Sequence, residues 1–251
     1  MTDRAAAAGR AIRADDVGFS YAGSEASALD GVSFELAAGE ALLIVGPSGS
    51  GKSTLAKAIA GIVPREVPGD WRGVLELAGR DGTAEDEGPA DVGIVFQDPA
   101  SQLVMEHAGD DVAFGLESRA WPLVAMRRRV PIALAAVGLD EFGDRRSDRL
   151  SGGEQQRLAL AGVLAPEPDV LVLDEPMANL DPEGAEELMD RLVAIRDARS
   201  ATIVLVDHRT DRAWSMADRV LALGSGGRQI DVGPPNEVLA RSAAAMAAEG
   251  I

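Results

Sequence analysis

Gly46-Pro47-Ser48-Gly49-Ser50-Gly51-Lys52-Ser53 sets a glycine, four residues and then Gly-Lys-Ser directly behind the apolar run Ala41-Leu42-Leu43-Ile44-Val45. A strand feeding such a loop lets successive backbone N–H groups turn inward onto phosphate oxygens, because glycine leaves no side chain to block the approach. Lys52 would reach the β and γ phosphates of a nucleotide, and the Ser53 hydroxyl would ligate Mg²⁺. Thr54-Leu55-Ala56-Lys57-Ala58-Ile59-Ala60 carries apolar residues at helical spacing. The loop therefore sits at a helix N-terminus, where the dipole favours an anion. A chance Gly/Ser-rich turn would explain the composition but not the complete strand-loop-helix context. Gly46, Pro47, Ser48, Gly49, Ser50, Gly51, Lys52, Ser53 and Thr54 are the candidate ATP contacts.

Asp174 and Glu175 end a second apolar run, Val170-Leu171-Val172-Leu173. Ligands of open α/β sheets bind beyond the C-terminal ends of the strands, so these carboxylates should face the phosphate loop. There Asp174 would hold the Mg²⁺ shell and Glu175 would polarise an attacking water. A carboxylate pair beside Pro176 could also cap a helix. The phosphate loop upstream favours catalysis over capping.

Between these segments lies Leu150-Ser151-Gly152-Gly153-Glu154-Gln155-Gln156-Arg157. Ser151 with Glu154 three residues later fits a helix N-cap and its capping-box partner, which would leave the Gly152 and Gly153 N–H groups as an anion site. A plain helix cap accounts for the same residues. A second anion site in a chain with one complete phosphate loop nevertheless asks for a ligand.

The elements that must position these groups read as strands at Ile12 to Tyr21, Val32 to Leu36, Ala41 to Val45, Val74 to Leu77 and Val92 to Phe96. Ala100 to Val163 is mostly helical in pattern, with breaks expected at Pro122 and Pro131. Strands return at Val170 to Leu173 and Thr202 to Val206, with a helix from Pro182 to Arg199 between them. Continuous apolar strands alternating with helices predict an α/β fold with a buried, mostly parallel sheet.

The chain has 251 residues, no cysteine, and 24 Lys and Arg against 41 Asp and Glu, a net charge of −17. Absent cysteine removes disulfides, thiolate metal sites and cysteine nucleophiles. Strong acidity argues against nucleic acid and anionic lipid surfaces, which are gripped by dense Lys/Arg patches. A local ATP site survives this objection, since backbone N–H groups, one lysine and a metal build it. Acidic runs such as Glu85-Asp86-Glu87 and Asp110-Asp111 read as solvated faces. Met1 to Arg10 lacks the apolar core of a signal peptide, and no segment approaches the roughly 18 apolar residues of a membrane span, so a soluble, cytoplasmic chain is expected.

Together the phosphate loop, the Leu150-to-Arg157 octapeptide and the Val170-to-Pro176 strand resemble the nucleotide-binding domain of ATP-binding cassette (ABC) ATPases, whose signature motif the octapeptide looks like. The resemblance implies one ABC ATPase domain over residues 1–251: an antiparallel β lobe and phosphate-loop core (about 10–97), a helical lobe (about 98–162) and the continued core (about 163–251). It implies a second ATPase subunit, self or paralogue, because in the family the signature of one subunit closes over ATP held by the other. By the same resemblance Tyr21 stacks on adenine, although it could equally pack at an edge. Gln97 touches Mg²⁺ and the attacking water, and His208 is the switch histidine on the γ-phosphate. Asn179-Leu180-Asp181 resembles the loop that crosses the dimer interface. Ala178-Asn179 replaces a more usual Ser-Ala or Thr-Ser, and Arg209 stands where an acidic residue is common.

Phe96-Gln97-Asp98-Pro99-Ala100-Ser101-Gln102-Leu103, followed by Asp110-Asp111-Val112-Ala113-Phe114-Gly115, is similar to the ATPase subunits of energy-coupling-factor (ECF) importers of vitamins and metal ions. That similarity implies a membrane transport subunit docking near Gln97 to Gln102. The chain would then lie peripherally on the inner face of the cell membrane.

Overall fold

The computed structural model describes residues 10–78, 80–81, 91–178, 180–207 and 210–251. The chain runs β1 (Arg10–Tyr21), β2 (Leu29–Ala37), β3 (Ala41–Val45), α1 (Lys52–Ile59), β4 (Gly69–Leu77), β5 (Arg80–Asp81) and β6 (Val92–Val95). It continues through α2 (Ala108–Glu117), α3 (Leu123–Ala136), α4 (Gly152–Leu164), β7 (Val170–Asp174), α5 (Pro182–Asp197) and β8 (Thr202–Val206). It ends with α6 (Thr210–Met216), β9 (Arg219–Leu223), β10 (Gln229–Gly233) and α7 (Pro235–Ala248).

Six strands form one sheet in the order β10-β9-β3-β8-β7-β6, parallel except for the β9-β10 pair. Every residue of β3, β7 and β8 is buried, as expected of strands covered on both faces. Alternate residues then serve two cores. Leu43, Val45, Leu171, Leu173, Ile203 and Leu205 pack with the helical elements, including Leu116 of α2 and Leu158 of α4. Leu42, Ile44, Val172, Val204 and Leu221 pack with Leu55 and Ile59 of α1 and with the second sheet.

That second sheet is antiparallel, ordered β2-β1-β4-β5. Its central strand β1 slips register against β4 between Asp15 and Gly18, with Asp16 at φ 51°. Gly73 faces this bulge at φ 82°, and a Cβ there would lie 2.3 Å from the Asp16 carbonyl oxygen, so only glycine fits. Beyond the bulge β1 stays paired with β4 as far as Tyr21, opposite Gly69.

Helix α3 runs unbroken through Pro131, against the sequence expectation of a break. Pro131 lies on the exposed side of the helix, so water can satisfy the carbonyl that its missing N–H abandons. The buried side of α3 contributes Met126, Ala133 and Leu134 to the core. Arg129 donates to the carbonyls of Leu164 (2.9 Å) and Ala165 (2.7 Å), capping the C-terminal end of α4. The helix that begins in the octapeptide is thus fixed at its far end by a cation, in the favourable sense of its dipole. β9, β10 and α7 had no clear forecast, since a short run such as Val220-Leu221-Ala222-Leu223 fits a strand and a buried helix equally well.

Candidate active site

The phosphate loop leaves β3 at Gly46 and enters α1 at Lys52, so its position is set by the centre of the parallel sheet. Gly51, at φ 86°, caps α1, and a Cβ on it would lie 2.0 Å from the Ala28 carbonyl oxygen. Lys52 is 5% exposed, and its Nζ donates to the carbonyls of Gly46 and Pro47 at 2.8 Å each. Burial lowers its pKa, while Glu175 and Asp174 act to hold the charge. The loop therefore surrounds a cation that two carboxylates help to keep protonated.

Asp174, the last residue of β7, accepts from the Ser53 hydroxyl at 3.1 Å. Burial raises its pKa, opposed by the Ser53 hydrogen bond and further raised by Glu175. A hydroxyl and a carboxylate at this spacing are hard oxygen donors of the kind Mg²⁺ accepts alongside phosphate oxygens. Among the described residues no cluster of three or more His, Asp or Glu side chains could hold a metal by itself.

Glu175 sits at φ 50°, a left-handed conformation that costs a non-glycine residue roughly 1–2 kcal/mol. Its N–H donates to the Val206 carbonyl at 2.9 Å, and its Oε2 accepts from Gln97 Nε2 at 3.1 Å. The strained turn thus aims the carboxylate across the strand ends toward Gln97. The N-cap of the helix that follows is neither Asp174 nor Glu175. Asp181 does cap one: its Oδ1 accepts from Gly184 N at 2.8 Å at the start of α5.

Tyr21, at the end of β1, bonds the Thr54 hydroxyl at 2.9 Å and meets Phe19 edge to face, centroids 5.0 Å apart. Its ring is thereby held beside the first turn of α1. Ser53 is thus bonded to Asp174 and Gln97 to Glu175, Lys52 feels the charge of both carboxylates, and Tyr21 reaches the same helical turn through Thr54. His208, Arg209 and Asn179 lie outside the described residues, as do Met1 to Gly9 and Glu85-Asp86-Glu87.

The octapeptide forms the predicted capping box. Ser151 N–H donates to Glu154 Oε2 at 2.7 Å, and Glu154 N–H to Ser151 Oγ at 3.3 Å. The Ser151 N–H holds the Glu154 carboxyl below its usual pKa. Ser151, Gly152 and Gly153 line a 430 Å³ cavity with Arg157, Asp181 and Glu183. Among the described residues, none of the phosphate loop lines it. Asp181 and the octapeptide are brought together there.

A second cavity, of 660 Å³, is lined by Ala100, Leu103, Val104, Met105, Ser147 and Gln155 among others. Val104 in its wall is 62% exposed. Gln102 beside it turns its amide back to the edge strand, accepting from Phe96 N at 2.8 Å and donating to Ile94 O at 3.0 Å. That pair of bonds adds a rung to the open edge of β6, immediately before Gln97. Asp98 caps the 3-10 turn at Pro99–Gln102 through Ala100 N, a task an asparagine would perform equally.

Asp111 departs from the sequence expectation. It is half-buried rather than part of a solvated face, and accepts from the N–H groups of Val104 and Met105 at 2.8 Å each and from the Ser147 hydroxyl. Asp110 beside it is exposed, as expected. The sequence offered no sign of this role, because the Ser147 partner lies 36 residues away and the hydroxyl has no motif.

Residues 29–178 match the family model described as ABC transporter. The chain belongs to the ABC transporter family. A putative ABC transporter ATP-binding protein of Streptomyces avermitilis is 43% identical over 233 residues, covering 92% of this chain and 42% of that protein. The chain therefore spans about two fifths of the length of this relative. The energy-coupling factor transporter ATP-binding protein EcfA1 of Lacticaseibacillus paracasei is 40% identical over 232 residues, 92% of this chain and 81% of its own. Among solved structures, cbiO1 from Clostridium perfringens, part of the ABC transporter complex cbiONQ, superposes with a TM-score of 0.80 at 33% identity. The overlap covers 93% of this chain and 92% of that one. As a member of the ABC family the chain is an ATP-binding ATPase of the mixed α/β, phosphate-loop fold. No helix among the described residues is long and apolar enough to cross a membrane.

Proposed function

We propose that this ABC ATPase powers uptake of a micronutrient, a vitamin or a metal ion, as the ATPase subunit of an ECF-type importer. The observation that carries this reading is the 40% identity to EcfA1 across nearly the whole chain. The Phe96-to-Leu103 and Asp110-to-Gly115 segments support it. In this reading residues 1–251 form one ABC ATPase domain.

Its chemistry follows from the placed side chains. Lys52 and the loop N–H groups bind and orient the β and γ phosphates, and Tyr21 presents its ring to adenine. Ser53, Asp174 and Gln97 would hold Mg²⁺, which would supply charge neutralisation for the transferring phosphoryl group. Glu175, oriented by Gln97, accepts a proton from the attacking water. His208 bonds the γ-phosphate. Ser151, Gly152, Gly153 and Asp181 face a cavity that shares no residue with the phosphate loop, so their ATP belongs to a second subunit, self or paralogue, joined head to tail. ATP binds the closed pair more tightly than the open one, and hydrolysis releases it. The membrane partner docks near Gln97 to Gln102, in the groove walled by Val104 and Met105, and places the chain on the inner face of the membrane. No nucleic acid is involved.

Reconstitution with the membrane proteins that co-purify with it tests this assignment. ATP-dependent accumulation of a radiolabelled vitamin or of cobalt in vesicles is expected. Recovery of the chain without any integral membrane protein, or accumulation that persists with Lys52→Ala, would overturn it.

A further inference from the structure

The groove and the octapeptide are joined by an unbroken run of hydrogen bonds, with Asp111 at its centre. Asp111 stands in the first turn of α2, and one carboxylate oxygen accepts from the N–H groups of Val104 and Met105, both in the groove wall. Its other oxygen takes the Ser147 hydroxyl, which lies in the turn ahead of α4 and is 3% exposed. The Ser147 carbonyl accepts from Gln155 Nε2 at 3.3 Å, and Gln155 belongs to the first helical turn of the octapeptide. Ser147 N–H donates to the Glu106 carbonyl at 2.9 Å, closing the same turn onto the groove wall. Three donors converge on one carboxylate, and hydrogen bonds to an ionised acceptor are the strong ones. Solvation alone would not gather them.

We propose that Asp111 is a positioning residue: through Ser147 and Gln155 it sets the Ser151–Gly153 half-site that one subunit offers to its neighbour's ATP. The inference rests on the head-to-tail dimer above. It differs from a bracing role in a way that can be measured, because a brace would affect the subunit's own fold and site. Asp111 is instead expected to act across the interface and leave the phosphate loop of its own subunit intact.

The test uses the full chain carrying Ser147→Ala, with Gln155→Ala as a second cut in the same run should the first fail to fold. Either variant is expected to lower kcat about tenfold, the scale of one or two lost charge-assisted or neutral hydrogen bonds, with KM for ATP changed less than about twofold. Asp111→Ala should match them. Asp111→Asn should recover most of the rate, since its amide oxygen can accept from both N–H groups and its NH₂ can donate to Ser147. Mixed with Lys52→Ala subunits, Ser147→Ala should turn over faster than either parent, because one composite site then has an intact loop and an intact octapeptide. Mixed with Ser151→Arg subunits it should gain nothing. The reverse pattern of rescue, or an unchanged kcat in both cut variants, overturns the proposal. Mixing Ser151→Arg with Lys52→Ala is the control: if that pair regains no activity, the dimer reading itself fails, whereas success there with the wrong rescue pattern condemns Asp111 alone.

Discussion

The phosphate-loop edge and the octapeptide edge of this molecule are both helix N-termini suited to anions, yet they are finished to different degrees. At the first, Ser53 bonds Asp174, Gln97 bonds Glu175, and the buried Lys52 lies within the electrostatic reach of both carboxylates. At the second, the polar groups around the cavity mostly bond the helix and its neighbours: Ser151 and Glu154 bond each other, Asp181 caps α5, and Arg157 pairs with Glu187 at 3.2 Å. In the proposed reading one edge is a reaction centre and the other is a clamp without a reaction of its own. A clamp of that kind acquires a purpose only against another subunit's nucleotide.

The largest effect that would break this contrast is at Glu175. Glu175→Gln keeps the shape and the Gln97 contact but removes the proton acceptor, so kcat should fall about 10²–10⁴-fold with ATP binding retained. Phosphate release and nucleotide binding measured on the same preparation decide it. Residual activity near the unsubstituted level would return Glu175 to a structural role.

Next in size is the division of labour between the edges. Ser151→Arg and Lys52→Ala should each be inactive, while an equal mixture should recover roughly a quarter of normal turnover, since half of randomly paired dimers carry one complete site of two. An inactive mixture would mean that the octapeptide serves its own subunit.

A smaller effect sharpens the reading of the first edge. Tyr21→Ala should raise KM for ATP roughly five- to tenfold through lost ring contact, with kcat little changed, and Tyr21→Phe should behave almost as the unsubstituted chain. Equal effects of the two would assign the role to the hydroxyl bond with Thr54 rather than to the ring.

How far these edges could be read from the sequence differs for a physical reason. The phosphate loop, the Asp174-Glu175 pair and the Ser151-Glu154 box are local: backbone geometry within a few residues dictates glycine, lysine or a capping serine, so spacing alone reveals them. The parallel sheet was equally plain in Ala41–Val45, Val170–Asp174 and Thr202–Val206, because burial on both faces demands unbroken apolar runs. The Asp111–Ser147 and Gln102–β6 contacts join segments that no periodicity connects, or use a side-chain amide as a substitute strand. Asp111 looked like half of an acidic surface pair until the Val104, Met105 and Ser147 donors were seen around it. Pro131 misled in the opposite direction, since its cost depends on which side of α3 meets water.

The smallest effects concern pH, and they should carry opposite signs at the two edges. Asp174 has a folded-state pKa raised above its usual value of 3.8, chiefly by burial. Its contribution to stability is therefore complete below that value and is lost as pH rises through the raised one. In nucleotide-free protein Asp174→Asn should melt at the same temperature as the parent under acid conditions and at a higher one near neutrality. Glu154 is the reverse case, held below its usual value of 4.5 by the Ser151 N–H. Its contribution is present above that value and fades as pH falls, so Glu154→Ala should lower Tm near neutrality by roughly 2 °C, the scale of a lost exposed cap, and by less in acid. Calorimetric melts of the two variants across pH 4 to 8 compare them directly. If both shift Tm in the same direction at neutral pH, the separation of a carboxylate kept for chemistry from one kept for the helix fails. If they diverge, Asp174 is retained against the stability of its own fold, which is what a residue serving the bound nucleotide requires.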